Sequence, residues 1–208
     1  MMRSVAMTTV HVIDDDADFR TAIGRVLKAA GYTVELYDSA AQLLDRLPAE
    51  DEPSCILLDL NMPEVTGTQL QDELAERAPL LPVIFLTGHG DIPTSVRAMK
   101  AGAGDFLTKP VERDTLVTAI ERAVADFSIK RERHRRLSRL RDLVATLTPR
   151  ERQVFQLVAR GRLHKQIAFE LGTTERTVKA HRLKVMDKLR VHSLAELVSA
   201  AEHLGTSG

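Results

Sequence analysis

Four polar features fall where short apolar runs stop. Asp14, Asp15 and Asp16 close the run 10–14, and Asp59 lies at the end of 55–60. Thr87 ends 83–87, and Lys109 follows 105–108. Carboxylates and a backbone carbonyl supply hard oxygen ligands of the kind Mg2+ or Mn2+ takes. An aspartate can also attack a phosphoryl group and become an aspartyl phosphate. A lysine would offset charge on the phosphoryl oxygens, and a hydroxyl would donate to one of them. An acidic triplet alone is usually a solvated turn or a helix cap, and a lone strand-end Thr or Lys is usually structural. What sets this pattern apart is its recurrence at strand end after strand end.

Those residues need elements to hold them. Strand-like runs occupy 10–14, 33–37, 55–60, 83–87 and 105–108. Helix-period patterns lie between them, first on Phe19, Ile23, Val26 and Leu27, then on Ala40, Leu43, Leu44 and Leu47, then on Leu70 and Leu74. A fourth helix is predicted over 92–101, and a fifth from Glu112 through Leu116, Ile120 and Val124. The near-continuous apolar runs 55–60 and 83–86 suit strands covered on both faces. Alternation of this kind predicts an α/β doubly wound domain with a five-stranded parallel sheet. Ligands of such sheets gather beyond the carboxyl ends of the strands, where strand order reverses. The acidic residues meet there if the first and third strands are neighbours. Cys55 reads as a buried strand residue, and His89 as a loop residue between glycines.

Charge divides the chain. Residues 1–126 hold 21 acidic and 11 basic side chains, whereas 127–208 hold 8 acidic and 18 basic ones. A net charge of zero therefore conceals an acidic half and a basic half with different partners. The basic half suits a polyanion such as DNA. The acidic half suits cations, or is simply a solvated surface. Seven residues, 80–86, form the longest apolar run, far below the roughly 20 that cross a bilayer. One cysteine excludes a disulfide framework and fits a reducing compartment, so a cytoplasmic location with no membrane partner is expected.

Residues 127–147 carry seven bases and two acids, with Leu137, Leu140, Val144 and Leu147 in a stripe too short for a coiled coil. They read as a charged helical linker that extends the fifth helix. Thr148-Pro149-Arg150-Glu151 then forms a capping box with proline at the first helical position. Four compact helices follow, broken at Gly161, Gly172 and Ser193, and make a small all-α helix-turn-helix domain. In the third, capped by Thr174, Val178, Val185 and Leu189 share an inward face. Arg176, Lys179, Ala180, Leu183 and Lys184 lie opposite, as a recognition helix for the major groove requires. Lys165, Arg182, Lys188 and Arg190 are placed to pair with phosphates.

The motifs Asp14-Asp15-Asp16, Leu57-Leu58-Asp59-Leu60-Asn61-Met62-Pro63, Leu86-Thr87-Gly88 and Phe106-Leu107-Thr108-Lys109-Pro110 resemble those of receiver domains of two-component response regulators. Thr148-Pro149-Arg150-Glu151, Lys165-Gln166-Ile167-Ala168, Thr177-Val178-Lys179-Ala180-His181 and Lys188-Leu189 resemble the LuxR/FixJ-type helix-turn-helix. Together they are most similar to the FixJ-like subgroup of the FixJ/NarL family. The resemblance implies a receiver in 1–126, a linker in 127–147 and a DNA-binding domain in 148–208. It implies that Asp59 accepts a phosphoryl group from a sensor histidine kinase. Asp15, Asp59 and the backbone carbonyl of Asn61 would ligate Mg2+, with Asp14 acting through water. Thr87 and Lys109 would contact the phosphoryl oxygens, across a cis Lys109-Pro110 bond. Phe106 would be a switch aromatic, or else a plain core phenylalanine.

Phosphorylation would then promote a homodimer that binds promoter DNA and meets RNA polymerase. Activation is the expected direction, with repression left open. Leu194, Val198 and Ala201 of the last helix would be shared between core and dimer interface. His164 stands where the family commonly has Asn, so one contact there is expected to be weaker or pH-dependent. A phosphohydrolase of the aspartyl-phosphate type is a rival, but it needs a second carboxylate where Asn61 stands, so the chain is expected not to be an enzyme. A receiver regulated without phosphorylation is the other rival, and the complete set of pocket residues argues against it.

Overall fold

The β-branched and leucine-rich runs pair into one sheet. In the computed structural model, which describes residues 8–50, 52–63, 65–88 and 92–205, the strands are β1 (Thr9–Ile13), β2 (Thr33–Tyr37), β3 (Ser54–Asp59), β4 (Val83–Thr87) and β5 (Asp105–Thr108). His89 lies outside the described residues. Between the strands run α1 (Ala17–Ala29), α2 (Ala40–Leu44), α3 (Gly67–Arg77) and α4 (Ile92–Lys100), and α5 (Arg113–Ala145) follows β5. All pairings are parallel, in the order β2-β1-β3-β4-β5. β1 and β3 are therefore neighbours, and the reversal of strand order falls between them.

Strand periodicity assigns each face its own core. Ile13, Ile56, Leu58, Val83 and Phe85 pack with Leu43, Leu70, Leu74 and Ala98 from α2, α3 and α4. Val10, Val12, Cys55, Leu57, Ile84 and Leu86 pack with Ile23 and Leu27 of α1 and Leu116 and Ile120 of α5. Every residue of β3 and β4 is buried, as the continuous apolar runs implied.

His11 is a buried histidine on β1, between Val10 and Val12 in the strand. The Tyr37 hydroxyl donates to Glu35 Oε2 at 2.5 Å, which leaves its oxygen to accept from His11 Nδ1 at 3.2 Å. His11 Nε2 is enclosed, with no hydrogen-bond partner among the described residues. Burial holds the imidazole below its ordinary pKa of 6.5, against the opposing pull of Glu35 and Glu52. Folding therefore favours the neutral ring. Its contribution is intact above the ordinary value and is lost as pH falls from there toward the depressed folded value. Urea unfolding between about pH 7.5 and 5.5, where carboxylates barely titrate, should show declining stability, and His11→Gln should flatten that decline. An equal slope in both proteins would show that His11 is not its source.

The chain divides into two compact units, with the division between Arg131 and Glu132. Phe127 is buried beside Pro48, Ala78 and Leu81 of the first unit, whereas Leu143, Val144 and Leu147 join the core of the second. The expected linker segment thus contributes to a core at each end. The second unit contains α6 (Pro149–Ala159), α7 (His164–Glu170), α8 (Glu175–Leu189) and α9 (Leu194–His203). Val154, Phe155, Ile167, Val178, Val185, Leu189, Leu197 and Ala201 fill its core. Gly172, at φ 60, makes the turn between α7 and α8 that an L side chain resists.

Candidate functional site

The pocket is built by register. Ile13 pairs with Leu58, which sets Asp14 level with Asp59 on adjacent strands. Asp14 is fully buried and Asp59 nearly so, while Asp15 faces solvent. One carboxylate oxygen from each lies within 4.8 Å of the other two. Thr87 pairs with Thr108, so the chain leaves β5 beside the end of β4, and the Lys109 amide donates to the Thr87 carbonyl at 2.7 Å. From there the Lys109 ammonium reaches Asp14 Oδ2 at 2.5 Å and Asp59 Oδ1 at 3.2 Å. Residues 14, 15, 59, 87 and 109, far apart in sequence, therefore meet at one rim of the sheet. Lys109-Pro110 is cis.

Several contacts hold these groups in place. Asp14 Oδ1 accepts from the Asp16 amide at 3.0 Å, and its carbonyl accepts from Arg20 Nη1 at 2.5 Å. Asp16 itself caps α1, accepting from the amides of Asp18 and Phe19 at 2.9 and 3.1 Å. Those amides, Phe19's foremost, hold its carboxyl below the usual range. Burial pushes the Asp59 carboxyl upward, Lys109 opposes that, and Asp14 adds to it. Three clustered carboxylates, two of them paired with one ammonium, leave an excess of negative charge in a partly enclosed place. A hard divalent cation such as Mg2+ fits a donor set made only of oxygen.

Sequence reasoning missed three supporting residues. A Cβ on Gly67, the first residue of α3, would lie 2.6 Å from the Asp59 carbonyl oxygen and 3.1 Å from Leu60 Cα. Glycine is thus needed for α3 to start against the end of β3. Phe19 lies under the Lys109 ammonium, 4.1 Å from ring centroid to Nζ, and Arg20 braces the backbone of Asp14. The type of residue 67, a glycine beside a threonine cap, was the available signal for the first. Only tertiary structure reveals the other two. Asn61 is exposed just beyond Asp59. Phe106 is half-buried on β5, with its ring 6.3 Å from that of Phe85.

In the second unit, α8 presents the predicted face. Val178, Val185 and Leu189 are buried, and Arg176, Lys179, Ala180, Leu183 and Lys184 are exposed. Thr174 caps the helix, its hydroxyl accepting from the Thr177 amide at 3.2 Å. Lys165 on α7 is exposed, whereas Arg182 is half-buried with Nε enclosed. Burial, then Arg182 and Lys179, hold His164 below the ordinary histidine value, so the ring is neutral at pH 7 beside two cations. Lys188 departs from expectation. Its ammonium donates to Glu151 Oε2 at 2.6 Å and to the Thr146 carbonyl at 3.2 Å. It braces the start of α6 and is not directed to phosphate, because Glu151 is buried and needs a counter-charge.

Known proteins resemble this chain over most of its length. The response regulator receiver domain family matches residues 10–121, and the luxR family of bacterial regulatory proteins matches 145–201. Nodulation protein W of Bradyrhizobium diazoefficiens is 42% identical, over 95% of this chain and 87% of its own length. Transcriptional regulatory protein FixJ of the same organism is 39% identical over 96% and 98%. Among solved structures, response regulator StyR covers 95% of this chain and 99% of its own, with 44% identity and a TM-score of 0.78. Full-length FixJ from B. japonicum covers 95% and 97%, with 38% identity and a TM-score of 0.57. Among the described residues no helix is long and apolar enough to cross a membrane. The chain belongs to the FixJ/NarL-type response regulators, phosphorylation-dependent transcriptional regulators, not enzymes, that join a receiver domain to a luxR-family DNA-binding domain.

Proposed function

We propose that Asp59 is the phosphoacceptor of a cytoplasmic two-component switch, charged by a sensor histidine kinase, and that its phosphorylation promotes a homodimer that binds promoter DNA. The observation that carries this reading is the meeting of Asp14, Asp15 and Asp59 within 4.8 Å, with Lys109 bridging two of them. Mg2+ would be held by Asp15, Asp59 and the Asn61 carbonyl, with Asp14 acting through water, and would neutralise the phosphoryl oxygens. An Asp59 oxygen forms the bond to phosphorus as the donor's leaving group departs with its electron pair. Lys109 then exchanges part of its Asp59 contact for a phosphoryl oxygen, and the Thr87 hydroxyl donates to another. Withdrawal of Thr87 toward the phosphoryl group makes room beside β4, into which Phe106 turns. Residues 1–126 hold this switch, 127–147 join it to the output, and 148–208 read DNA for a regulator that engages RNA polymerase.

The output surface would be Arg176, Lys179, Ala180, Leu183 and Lys184 entering the major groove, from which Lys179 and Lys184 also reach the flanking phosphates, with Thr174, Lys165 and Arg182 at the backbone. Full-length protein should bind duplex DNA more tightly after treatment with acetyl phosphate and Mg2+ than after the same treatment with a chelator. Equal affinity in both arms would separate the pocket from the output. Lys179→Ala should weaken binding and lower the slope of log affinity against log salt by about one unit. An unchanged slope would remove Lys179 from the phosphate-facing surface.

A further inference from the structure

Leu183 is the large apolar side chain on the basic face of α8. It is 62% exposed, lies outside the core of its unit, and is surrounded by Arg176, Lys179 and Lys184. A lone exposed leucine is ordinary in itself, but this one lies within a frame of three cations, and such a face suits a polyanion. Ala180, also exposed, lies one turn before it, so the two make a continuous apolar strip within that frame. Asp187, one turn beyond, is exposed with the opposite charge and closes the strip. Arg176 and Leu183 are about 10 Å apart along the axis, close to three base-pair steps at 3.4 Å each.

Resting on the DNA-binding reading above, we infer that Leu183, seated against Ala180, reads the 5-methyl group of thymine in each half-site. The alternatives are excluded by what base edges offer in the major groove. Adenine presents N7 and N6, guanine N7 and O6, and cytosine its N4 amine. An aliphatic side chain pressed on any of these strips water from a polar group and returns no hydrogen bond. Thymine alone presents a methyl group there. Ala180 leaves the space for Leu183 to lie flat along the strip, and Lys179 and Lys184 hold the adjacent phosphates. The strip contributes specificity and the lysines contribute affinity.

The experiment is a selection from a randomised duplex pool by full-length protein treated with acetyl phosphate and Mg2+. Recovered sites are then remade with deoxyuridine for thymidine, one position at a time. The expected result is at least one position per half-site where losing the methyl weakens binding about three- to tenfold, the effect of one buried methyl group and its packing. Leu183→Ala, at an exposed position that leaves the fold intact, should bind the two versions equally and keep the wild-type salt dependence. Enriched sites that bind equally well with deoxyuridine at every position would overturn the thymine contact and leave the DNA-binding reading standing. The thymine contact would also be overturned if Leu183→Ala kept the full preference. A selection that enriches no sequence would overturn the sequence-reading role itself, and this inference with it.

Discussion

Asp59→Asn is expected to reduce phosphoryl uptake from acetyl phosphate on the order of a thousandfold or more, to below detection by intact mass. The amide has the shape of the carboxylate but no nucleophilic oxyanion, and it cannot serve as an anionic metal ligand. Geometry limits the scope for substitution by a neighbour. Asp14 is fully buried and held by Lys109 and the Asp16 amide, and Asp15 faces solvent. The same substitution should raise the melting temperature of the metal-free protein. Burial and Asp14 both disfavour the ionised Asp59 carboxylate, and the neutral amide removes that cost. Added Mg2+ should stabilise the native protein and have much less effect on the variant. Undiminished uptake in Asp59→Asn would move the acceptor elsewhere.

The second large effect concerns the DNA-binding unit. Glu151→Ala is expected to destabilise it by about 2–4 kcal/mol, combining a lost capping bond with a partly enclosed lysine left without its counter-charge. Glu151 accepts from the Thr148 amide at 2.9 Å and from Lys188 at 2.6 Å, while the Thr148 hydroxyl accepts from the Glu151 amide at 3.3 Å. Lys188 foremost, then the Thr148 backbone, pull the Glu151 carboxyl down to about 2. Because the folded value is depressed, its contribution is complete above the ordinary value of 4.5 and is lost as pH falls through about 2. Helical signal followed through urea unfolding should show an early transition in Glu151→Ala. Glu151→Gln, which keeps the acceptor for Thr148, should lose less. Native-like unfolding of the alanine variant would show that the box and its lysine are dispensable.

Much of this was legible in the chain because each signal was local. Strands from continuous apolar runs, the Thr148 and Thr174 caps, and the buried stripe of α8 depend on near neighbours in sequence. The pocket residues were legible for another reason: a parallel sheet places every strand's carboxyl end at one rim, so order along the chain becomes proximity in space. Lys188 was misjudged because its partner is 37 residues away, and a helical wheel does not show that a buried carboxylate waits beneath one lysine. Gly67 escaped notice because its constraint comes from the Asp59 carbonyl on another element. The face positions of α8 were legible from the wheel, which set Leu183 opposite the buried stripe, where the structure exposes it.

The most direct test reduces the treated protein with borohydride, which converts an aspartyl phosphate to homoserine and so marks the acceptor permanently. After acetyl phosphate and Mg2+, peptide mapping should find homoserine at position 59 alone, and a chelator should abolish it. Homoserine at another aspartate, or at 59 with the metal removed, would contradict a magnesium-dependent switch centred on Asp59.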